Sequence, residues 1–322
     1  MTRFVAVLGP TASGKSALAM KLAHRMSGEI IACDSQQVYI GMDIGTGKPT
    51  PEERRQIPHH LLDLARPDQV FHAARWAALA RVAITQVAAR GRVPIVVGGT
   101  GLYYRALTTG LFEAPPPDQG IRERHREEAQ RAGTGALHAQ LQAVDPTAAG
   151  AVAPQDLVRI SRALEVYEQT GVPISTLRRQ AATTVGDLRA QAIVLDPPLS
   201  ELKTRIERRV AEMMAAGFLD EVRALRDAGF GPSLRPLQAL GYQQLGAHLD
   251  GACPLAQAVT ETISATVAYA RRQRTWFRKE AAVARLVAAP ADGSEGFNDI
   301  VDAVSGGLAG TSAGAAAEST AL

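Results

Sequence analysis

A short apolar run followed by a glycine-rich octapeptide constrains the fold of this chain more than any other feature. Residues 4–8 are apolar throughout and predict a buried strand. The run leads directly into residues 9–16, which fit the pattern G-x-x-x-x-G-K-[ST]. Apolar residues then recur at helical spacing at Leu18, Leu22 and Met26. The segment therefore predicts a strand, a phosphate-binding loop and a helix in succession.

The octapeptide supplies several groups that bind phosphate. Its two glycines let the backbone curve so that N–H groups point inward, and the helix N-terminus adds the positive end of its dipole. Lys15 supplies a cation that can span two phosphates, and the Ser16 hydroxyl can ligate Mg²⁺. The loop alone predicts a bound polyphosphate or diphosphate without distinguishing between them. The residues assigned to this binding are Gly9, Pro10, Thr11, Ala12, Ser13, Gly14, Lys15 and Ser16.

The composition is that of a globular protein without structural cysteines. Hydrophobic residues make up 46% and charged residues 21% of the chain, as in soluble domains. No apolar run approaches the roughly 18 residues that a membrane helix needs, and a core strand so near residue 1 leaves no room for a signal peptide. Cys33 and Cys253 are the only cysteines, which excludes a disulfide framework and a four-cysteine zinc site. We therefore expect a cytoplasmic protein.

Further apolar runs and a second glycine turn predict the rest of the sheet. Strand-like segments occur at residues 29–33, 61–64, 93–97, 190–195 and 284–289. The run at 93–97 leads into Gly98, Gly99 and Thr100, which form a second strand–glycine loop–helix unit. Two such units on one sheet predict an α/β fold with a doubly wound parallel sheet of P-loop NTPase type.

Strand signals are absent from the middle of the chain, which predicts an all-helical insert domain. A proline-rich segment at 114–118 marks the change, and short helical patterns separated by Gly and Pro continue to residue 185. We predict an α/β core over residues 1–117 and 186–290, with the insert at 118–185. Residues 306–322 are rich in Ala, Gly and Ser, and they predict a disordered tail.

Two polar residues follow predicted strands at the edge of the sheet where ligands bind. Asp34 ends the second strand, so it lies on the same edge as the phosphate loop. Its carboxylate can ligate Mg²⁺, act as a general base or cap a helix, and its position leaves these roles open. The Thr100 hydroxyl can likewise cap the next helix or contact a substrate. His59 and His60 lack a third ligand, which favours a loop feature over a metal site.

Basic residues cluster late in the chain, although the formal net charge is only +3. The cluster consists of Arg271, Arg272, Arg274, Arg278 and Lys279, with no acid among them. Charge alone is equally consistent with a nucleic-acid-binding surface and with a solvated helix face.

A phosphate loop with a carboxylate beside it is compatible with more than one function. One is a small-molecule kinase that uses ATP, and another is an enzyme that binds a diphosphate as a leaving group. A third is a non-catalytic RNA-binding protein that uses a nucleotide as a switch. The absence of a convincing pair of lid arginines disfavours the kinase.

Seven segments carry recognisable motifs. They are GPTASGKS at 9–16, DSQQVY at 34–39, GMDIGT at 41–46, GGTGLY at 98–103, RISRALEV at 159–166, QALGY at 238–242 and QRTWF at 273–277. In this order they resemble the motifs of the bacterial tRNA dimethylallyltransferases, and the similarity spans residues 4 to about 280.

The resemblance implies transfer of a dimethylallyl group from dimethylallyl diphosphate to N6 of adenosine 37 in the tRNA anticodon stem-loop, with release of diphosphate. By this likeness the phosphate loop holds the donor's diphosphate rather than ATP, with Mg²⁺ on Ser16 and Arg209 as a second cation. Asp34 is then the general base, with Lys15 and Thr100 as further catalytic residues. No protein partner is implied, and we expect a monomer.

The same resemblance implies a set of tRNA contacts in the core and in the helical insert. They are Asp34, Ser35, Gln36, Gln37, Thr100, Arg122, Val158, Arg159, Ile160, Ser161, Arg162, Gln238, Gly241, Tyr242 and Gln243. The chain departs from the family pattern at Gln36, Ile40, Gly47 and Gln243, where Arg, Lys, Ala and a basic residue respectively are usual. These departures bear on tRNA recognition and leave the chemistry unchanged.

Overall fold

The computed structural model describes residues 1–112, 115–182, 188–280, 286–287 and 298–304. Contacts between residues divide the chain into two compact units. We call them the sheet unit (Met1–Thr108 with Asp187–Leu322) and the helical unit (Thr109–Gly186). The predicted disordered tail at 306–322 lies outside the described residues.

The sheet unit is organised around parallel strands. They are β1 (Thr2–Leu8), β2 (Gly28–Cys33), β3 (His59–His60), β4 (Val93–Gly98), β5 (Leu188–Leu195) and β6 (Leu286–Val287). Their order in the described sheet is β3-β2-β4-β1-β5-β6, and every pair of neighbours is parallel. The predicted doubly wound parallel α/β sheet is confirmed.

Helices connect these strands and form the whole of the described helical unit. They are α1 (Lys15–Met26), α2 (Pro51–Gln56), α3 (Ala73–Ala89), α4 (Gly101–Thr109), α5 (Gln119–Ala132), α6 (Thr134–Val144), α7 (Pro146–Gly150), α8 (Leu157–Thr170), α9 (Ile174–Ala182), α10 (Leu199–Ala215), α11 (Phe218–Asp227), α12 (Tyr242–Leu249) and α13 (Leu255–Lys279). None of the described helices is both long enough and apolar enough to cross a membrane.

The strand register brings the carboxyl ends of the central strands to one edge. Leu8 at the end of β1 pairs with Gly98 at the end of β4, and Gly98 pairs with Cys33 at the end of β2. A Cβ atom on Gly98 would overlap the carbonyl oxygen of Cys33, so only glycine permits this approach. The loops that follow β1, β2 and β4 therefore leave the sheet side by side.

The core of the sheet unit covers the strands with helices. Val5 and Val7 of β1 pack with Leu18 and Leu22 of α1 in one fully buried cluster. On α3, Trp76 is fully buried and donates from Nε1 to the carbonyl oxygen of Ala32, 2.9 Å away. Because helices cover both faces of the central strands, these strands carry the long apolar runs typical of parallel sheets.

The predicted third strand at residues 61–64 is wrong. The strand is instead His59–His60, which pairs with Ile30 and Ile31 of β2. Leu61 and Asp63 adopt left-handed φ angles of 64° and 56°, which a strand cannot contain. This segment therefore forms a turn, although its apolar pattern predicted a strand. At the predicted last strand, 284–289, Leu286–Val287 is a strand, and its neighbours lie outside the described residues.

The helical unit has its own apolar core and includes the segment before α5. Leu137, Leu141 and Ile160 are fully buried in it, and Phe112 packs against them. The carbonyl oxygen of Pro115 accepts a hydrogen bond from Arg162 at 2.8 Å. These contacts explain why the unit begins near residue 109, whereas the sequence predicted that it would begin at residue 118.

A buried carboxylate holds two helices of this unit together. Glu165 of α8 is 0% exposed, and its oxygens accept hydrogen bonds from Arg122 Nε at 3.0 Å and Arg162 Nη1 at 2.5 Å. The backbone N–H of Asp118 donates to the same carboxylate at 2.6 Å. Burial raises the pKa of Glu165, but the hydrogen bonds from Arg122 and Arg162 outweigh it and the pKa is lowered overall.

Substitution of Glu165 by Gln is expected to destabilise the protein by about 2–4 kcal/mol, because it leaves partly buried arginine charge without its counter-ion. Glu127→Gln changes the same charge at an exposed position of α5 and should stay within about 0.5 kcal/mol of the wild type. Urea unfolding of the full chain measures both. Because the folded pKa of Glu165 is lowered, its contribution is present above the unfolded pKa and disappears as the pH falls through the folded value. Equal stability of the two variants would contradict the assigned role of this network.

Candidate active site

The phosphate loop has the curved backbone that its sequence predicts. Gly14 caps α1 with a φ of 88°, and Ala12 has a left-handed φ of 61°, which is uncommon for alanine. At Gly9, a Cβ atom would lie 2.7 Å from the carbonyl oxygen of Leu195, so β5 packs directly against the start of the loop. The Ser13 hydroxyl is buried and has no hydrogen-bond partner among the described residues.

Lys15 lies at the end of this loop, where α1 begins, and its pKa is strongly shifted. Its Nζ donates to the carbonyl oxygen of Pro10 at 3.2 Å. Burial and the positive charge of Arg209 lower the pKa of Lys15 to about 8, and the negative charge of Asp34 opposes them. A cation whose charged form is destabilised in this way is poised to bind an anion, because the anion restores the lost stabilisation.

A second cation reaches the site from α10 beside Gly47. The Arg209 guanidinium packs on Gly47, where a Cβ atom would overlap its terminal nitrogen. Burial lowers the pKa of Arg209, and the charge of Asp34 opposes this effect. Alanine at position 47 would have to displace the guanidinium and adopt the left-handed φ of 60° that Gly47 has here.

Asp34 uses one of its two carboxylate oxygens to cap the turn after β2. Its Oδ1 accepts hydrogen bonds from the backbone N–H groups of Gln36 and Gln37, at 2.8 Å and 3.4 Å. Its Oδ2 accepts no hydrogen bond from any described residue. One oxygen therefore shapes the turn after β2, and the other is available for a ligand or a proton.

Thr100 connects the second glycine loop to the turn after β2. The Ser35 backbone N–H donates to Thr100 Oγ1 at 3.0 Å, and the Thr100 hydroxyl lies 3.5 Å from Ser35 Oγ. The Gln273 side chain makes a comparable link to the phosphate loop, because its Oε1 accepts from the Thr11 backbone N–H at 2.9 Å. The loops at the carboxyl edge of the sheet are therefore bonded to one another.

Glu221, which sequence reasoning missed, holds the glycine-rich loop at 41–48. One of its oxygens accepts hydrogen bonds from the backbone N–H groups of Asp43 and Ile44, at 2.8 Å and 2.6 Å. The other accepts from Gly45 N–H at 3.1 Å and from the Tyr242 hydroxyl at 2.6 Å. Successive N–H groups that converge on one carboxylate form an anion-binding nest, filled here by the protein itself.

Lys48 anchors the other end of the same loop and was also missed. Its side chain is 1% exposed, and Nζ donates to Asp43 at 2.7 Å and to Asp63 at 2.5 Å. The Gln37 amide donates to the carbonyl oxygens of Thr46 and Gly47, at 3.2 Å and 3.1 Å. A buried lysine paired with two carboxylates fixes the loop rather than binding a ligand.

Many of the predicted site residues line one cavity of the sheet unit, of about 450 Å³, which we call the central cavity. They are Thr11, Lys15, Ser16, Asp34, Ser35, Gln36, Gln37, Arg209, Gln238 and Tyr242. The rest of the wall includes apolar side chains such as Ile206, Val210, Met213 and Phe218. Cationic groups and apolar surface in one cavity suit a ligand with an anionic head and an apolar body.

Among the predicted contacts of the sheet unit, Gly241, Gln243 and Thr100 do not line this cavity. Gly241 caps α12 with a φ of 84°, and Gln243 is exposed and lines a second cavity. Tyr242 is buried, with its hydroxyl bound to Glu221, so it supports the cavity wall. Thr100 is not part of the wall and acts on it through Ser35.

Within the helical unit, the predicted tRNA contacts divide into exposed and buried residues. Val158 is 80% exposed, and Arg159 is exposed beside it at the start of α8. Ile160 is fully buried in the helical core, so its side chain is not exposed to a ligand. Ser161 is buried against His125, with Oγ and Nδ1 2.9 Å apart. Arg162 and Arg122 are held by Glu165.

The basic cluster on α13 also divides into two kinds of residue. Arg274 and Arg278 donate to the Asp196 carboxylate, at 2.6 Å and 2.9 Å from their Nε atoms. Arg271, Arg272 and Lys279 are exposed. Part of the cluster therefore has an internal structural role, and the exposed part provides positive surface.

The adjacent histidines have local partners. His59 Nδ1 lies 2.7 Å from the carbonyl oxygen of Ile57, and His60 Nε2 lies 2.7 Å from Glu29 Oε2. Among the described residues, no group of three or more His, Cys, Asp or Glu side chains could hold a metal ion.

The parallel sheet, the glycine-rich loop at the carboxyl end of β1 and the helix that follows it define the class of P-loop α/β proteins. Lys15, Arg209 and Asp34 line one cavity, and the two cations suit it to an anionic ligand.

The chain belongs to the IPP transferase family, whose model matches residues 37–280. It is 52% identical over 290 residues to a tRNA dimethylallyltransferase of Anaeromyxobacter sp. (strain K), covering 90% of this chain and 94% of that protein.

Solved structures of similar proteins support this family assignment. A full-length tRNA isopentenylpyrophosphate transferase from Bacillus halodurans matches with a TM-score of 0.69 and 36% identity, covering 97% of this chain and 98% of that one. A eukaryotic dimethylallyltransferase acting on tRNA matches with a TM-score of 0.73 and 26% identity, covering 95% and 80%.

Binding of inorganic diphosphate is expected to weaken as the pH rises, because Lys15 loses its charge near its pKa of about 8. The affinity should fall by about tenfold between about pH 7 and about pH 9, relative to Lys15→Arg. The Arg variant keeps its charge over this range, and the ratio of the two affinities cancels the ionisation of the ligand. Isothermal titration calorimetry measures both. Parallel pH curves would show that Lys15 does not bind the ligand through its charge.

Proposed function

We propose that this protein transfers a dimethylallyl group from dimethylallyl diphosphate to N6 of adenosine 37 in tRNA and releases diphosphate. The observation that carries the proposal is the meeting of Lys15, Arg209 and Asp34 around one partly apolar cavity. Membership of the IPP transferase family and relatives named tRNA dimethylallyltransferases support it.

The chemistry requires a base, because the lone pair of an exocyclic adenine amine is delocalised into the ring. In the proposed step, N6 attacks C1 of the dimethylallyl group, the C1–O bond breaks, and the proton on N6 passes to Asp34. The Asp34 Oδ2 suits this role because Oδ1 is already bound to Gln36 N–H and Gln37 N–H, and Oδ2 has no described partner. A positioned base of this kind contributes about 10²- to 10⁴-fold to the rate.

The leaving diphosphate gains negative charge as the C1–O bond breaks, and the chain offers two cations for it. Lys15 sits in the phosphate loop, and Arg209 enters past Gly47. Both are partly desolvated, which strengthens their attraction for an anion. The apolar wall formed by Ile206, Val210 and Phe218 suits the prenyl chain.

The residues present fit a Mg²⁺ ion that arrives with the diphosphate. The Ser16 hydroxyl and the Asp34 carboxylate line the same cavity, and both are oxygen ligands. Mg²⁺ commonly takes one or two protein oxygens together with substrate phosphates and water. We assign it to Ser16. When bound, the metal would neutralise charge on the leaving diphosphate.

The tRNA is proposed to use both units. The target adenosine must leave the anticodon stack, which costs a few kcal/mol and least in a loop. Exposed Val158 and Arg159 offer an apolar and a cationic contact to such a loop. Gln238 is exposed at the wall of the central cavity and suits a contact near the reacting base.

Mass spectrometry of an unmodified anticodon stem-loop, incubated with the protein, dimethylallyl diphosphate and Mg²⁺, tests the activity. We expect the mass of a dimethylallyl group to be added at adenosine 37, with one diphosphate released for each transfer. Added ATP should not be hydrolysed. Consumption of ATP without RNA modification would support a kinase and overturn the proposal.

Asp34→Asn is expected to lower the single-turnover rate of transfer by about 10²- to 10⁴-fold. Asn keeps an oxygen that can accept from Gln36 N–H and Gln37 N–H, so the turn should survive and tRNA affinity should remain close to that of the wild type. Asp68→Asn removes the same charge at a surface ion pair with Arg66 and serves as the control. A full rate for Asp34→Asn would exclude it as the base, and a large loss of tRNA affinity would assign it to recognition.

Removal of divalent metal with EDTA is expected to reduce the transfer rate, and added Mg²⁺ should restore it. Ser16→Ala should raise the Mg²⁺ concentration needed for half-maximal rate, because it removes a ligand. A Mg²⁺ titration curve unchanged by Ser16→Ala would place the metal elsewhere.

A further inference from the structure

The side-chain amide of Gln273 joins two loops that lie far apart in sequence. Its Oε1 accepts a hydrogen bond from the Thr11 backbone N–H at 2.9 Å, and its Nε2 donates to the Gly99 carbonyl oxygen at 2.8 Å. Gln273 is 7% exposed, so both bonds are shielded from water. The phosphate loop after β1 and the glycine loop after β4 are thus held by the two ends of one amide.

The connection continues from Gly99 to the proposed base. Thr100, the next residue, accepts a hydrogen bond at Oγ1 from the Ser35 backbone N–H, 3.0 Å away. Ser35 in turn follows Asp34, whose Oδ1 is fixed by Gln36 N–H at 2.8 Å. An unbroken series of hydrogen bonds and peptide bonds therefore runs from the diphosphate-binding loop to the Asp34 carboxylate.

Gly99 permits this bridge, and a long helix supports it. A Cβ atom on Gly99 would overlap Gln273 Nε2 and would lie 3.1 Å from the Gly9 carbonyl oxygen, so the amide is in close contact with the loop. Gln273 belongs to α13, where Ala270 is fully buried against Ile206 and Val210 of α10. Because α10 also carries Arg209, the amide and the second cation are positioned by the same packed pair of helices.

We propose that Gln273 is a positioning residue, which sets the separation between the bound diphosphate and the Asp34 carboxylate and thereby determines the rate of prenyl transfer. The inference rests on the proposed function. Gln273 acts on Asp34 through Gly99 and Thr100, and on the donor through the phosphate loop. A displacement of about 1 Å between reacting groups can cost about 10²-fold in rate. No sequence motif assigns this role, because it depends on contacts across 262 and 174 residues.

The first test compares Gln273→Met with Gln257→Met. Methionine matches the length of glutamine but makes neither hydrogen bond. Gln257 is exposed on the same helix, and its side chain bonds only to Glu261 among the described residues, at 2.9 Å. We expect Gln273→Met to lower the single-turnover rate by about 100-fold, with the dissociation constant for dimethylallyl diphosphate changed by less than about threefold. Gln257→Met should transfer at the wild-type rate.

The second test uses the pH dependence of Gln273→Glu. A protonated carboxyl has one donor and one acceptor and can reproduce both bonds of the amide, whereas an ionised carboxylate cannot donate to Gly99. The rate of Gln273→Glu relative to wild type should therefore rise as the pH falls from about 8 to about 6. Dividing by the wild-type rate cancels the pH effects that the two proteins share. A purely structural role would leave this ratio independent of pH.

Three results overturn the assignment. One is a wild-type rate for Gln273→Met in a preparation where the wild type is active. Another is a rate loss equal to the loss of folded protein, counted by circular dichroism and by donor bound per chain. The third is a loss of donor affinity as large as the loss of rate, which would make Gln273 a binding residue. A wild type that transfers nothing overturns the proposed function itself, and this assignment with it.

Discussion

The site depends on the register of three parallel strands. Leu8, Gly98 and Cys33 lie in one row at the ends of β1, β4 and β2, so the loops that follow them are neighbours although they lie far apart in sequence. The row requires glycine at position 98, because the Cys33 backbone occupies the space of a side chain. A shift of one residue in any of these strands would displace the loop that follows it by about 3.3 Å, so the register of the sheet fixes the geometry of the site.

In the sheet unit, charged side chains bind the polar backbone groups and the opposite charges of the loops around the central cavity. Glu221 fills the nest of N–H groups at residues 43–45, and Lys48 is neutralised by Asp43 and Asp63. Lys15 and Arg209 differ, because no described carboxylate forms an ion pair with either of them. The two cations of the central cavity therefore keep their unsatisfied attraction for an anion, whereas the charges around them are used in structure.

The sequence predicted the elements of the site better than their connections. Apolar runs at 4–8, 29–33 and 93–97 located the central strands, because buried parallel strands are apolar without interruption. The turn at Leu61 and Asp63 was missed, because leucine rarely adopts a left-handed φ and the apolar residues of 61–64 favoured a strand. Glu221 and Gln273 were not assigned as site residues, because the loops that they hold lie more than 170 residues away in the chain. Local pattern carries no information about such pairs.

Family likeness also assigned residues to tRNA contact that have structural roles here. Ile160 belongs to the helical core, and the Tyr242 hydroxyl is bound to Glu221. A motif match identifies residues with a structural or functional role. Burial then separates residues whose side chains can contact a ligand from residues that support the structure around the site. This distinction matters less for most of the phosphate-loop residues, because a loop of this type offers a ligand mainly its backbone N–H groups.

The contact between Gly47 and Arg209 couples a loop position to a helix position. A Cβ atom at position 47 would occupy the place of the Arg209 terminal nitrogen, and the left-handed φ of 60° at Gly47 is itself unfavourable for other residues. A side chain at position 47 would therefore displace the guanidinium as well as strain the loop. We expect the effects of substitutions at positions 47 and 209 to be non-additive, because the two residues are in contact.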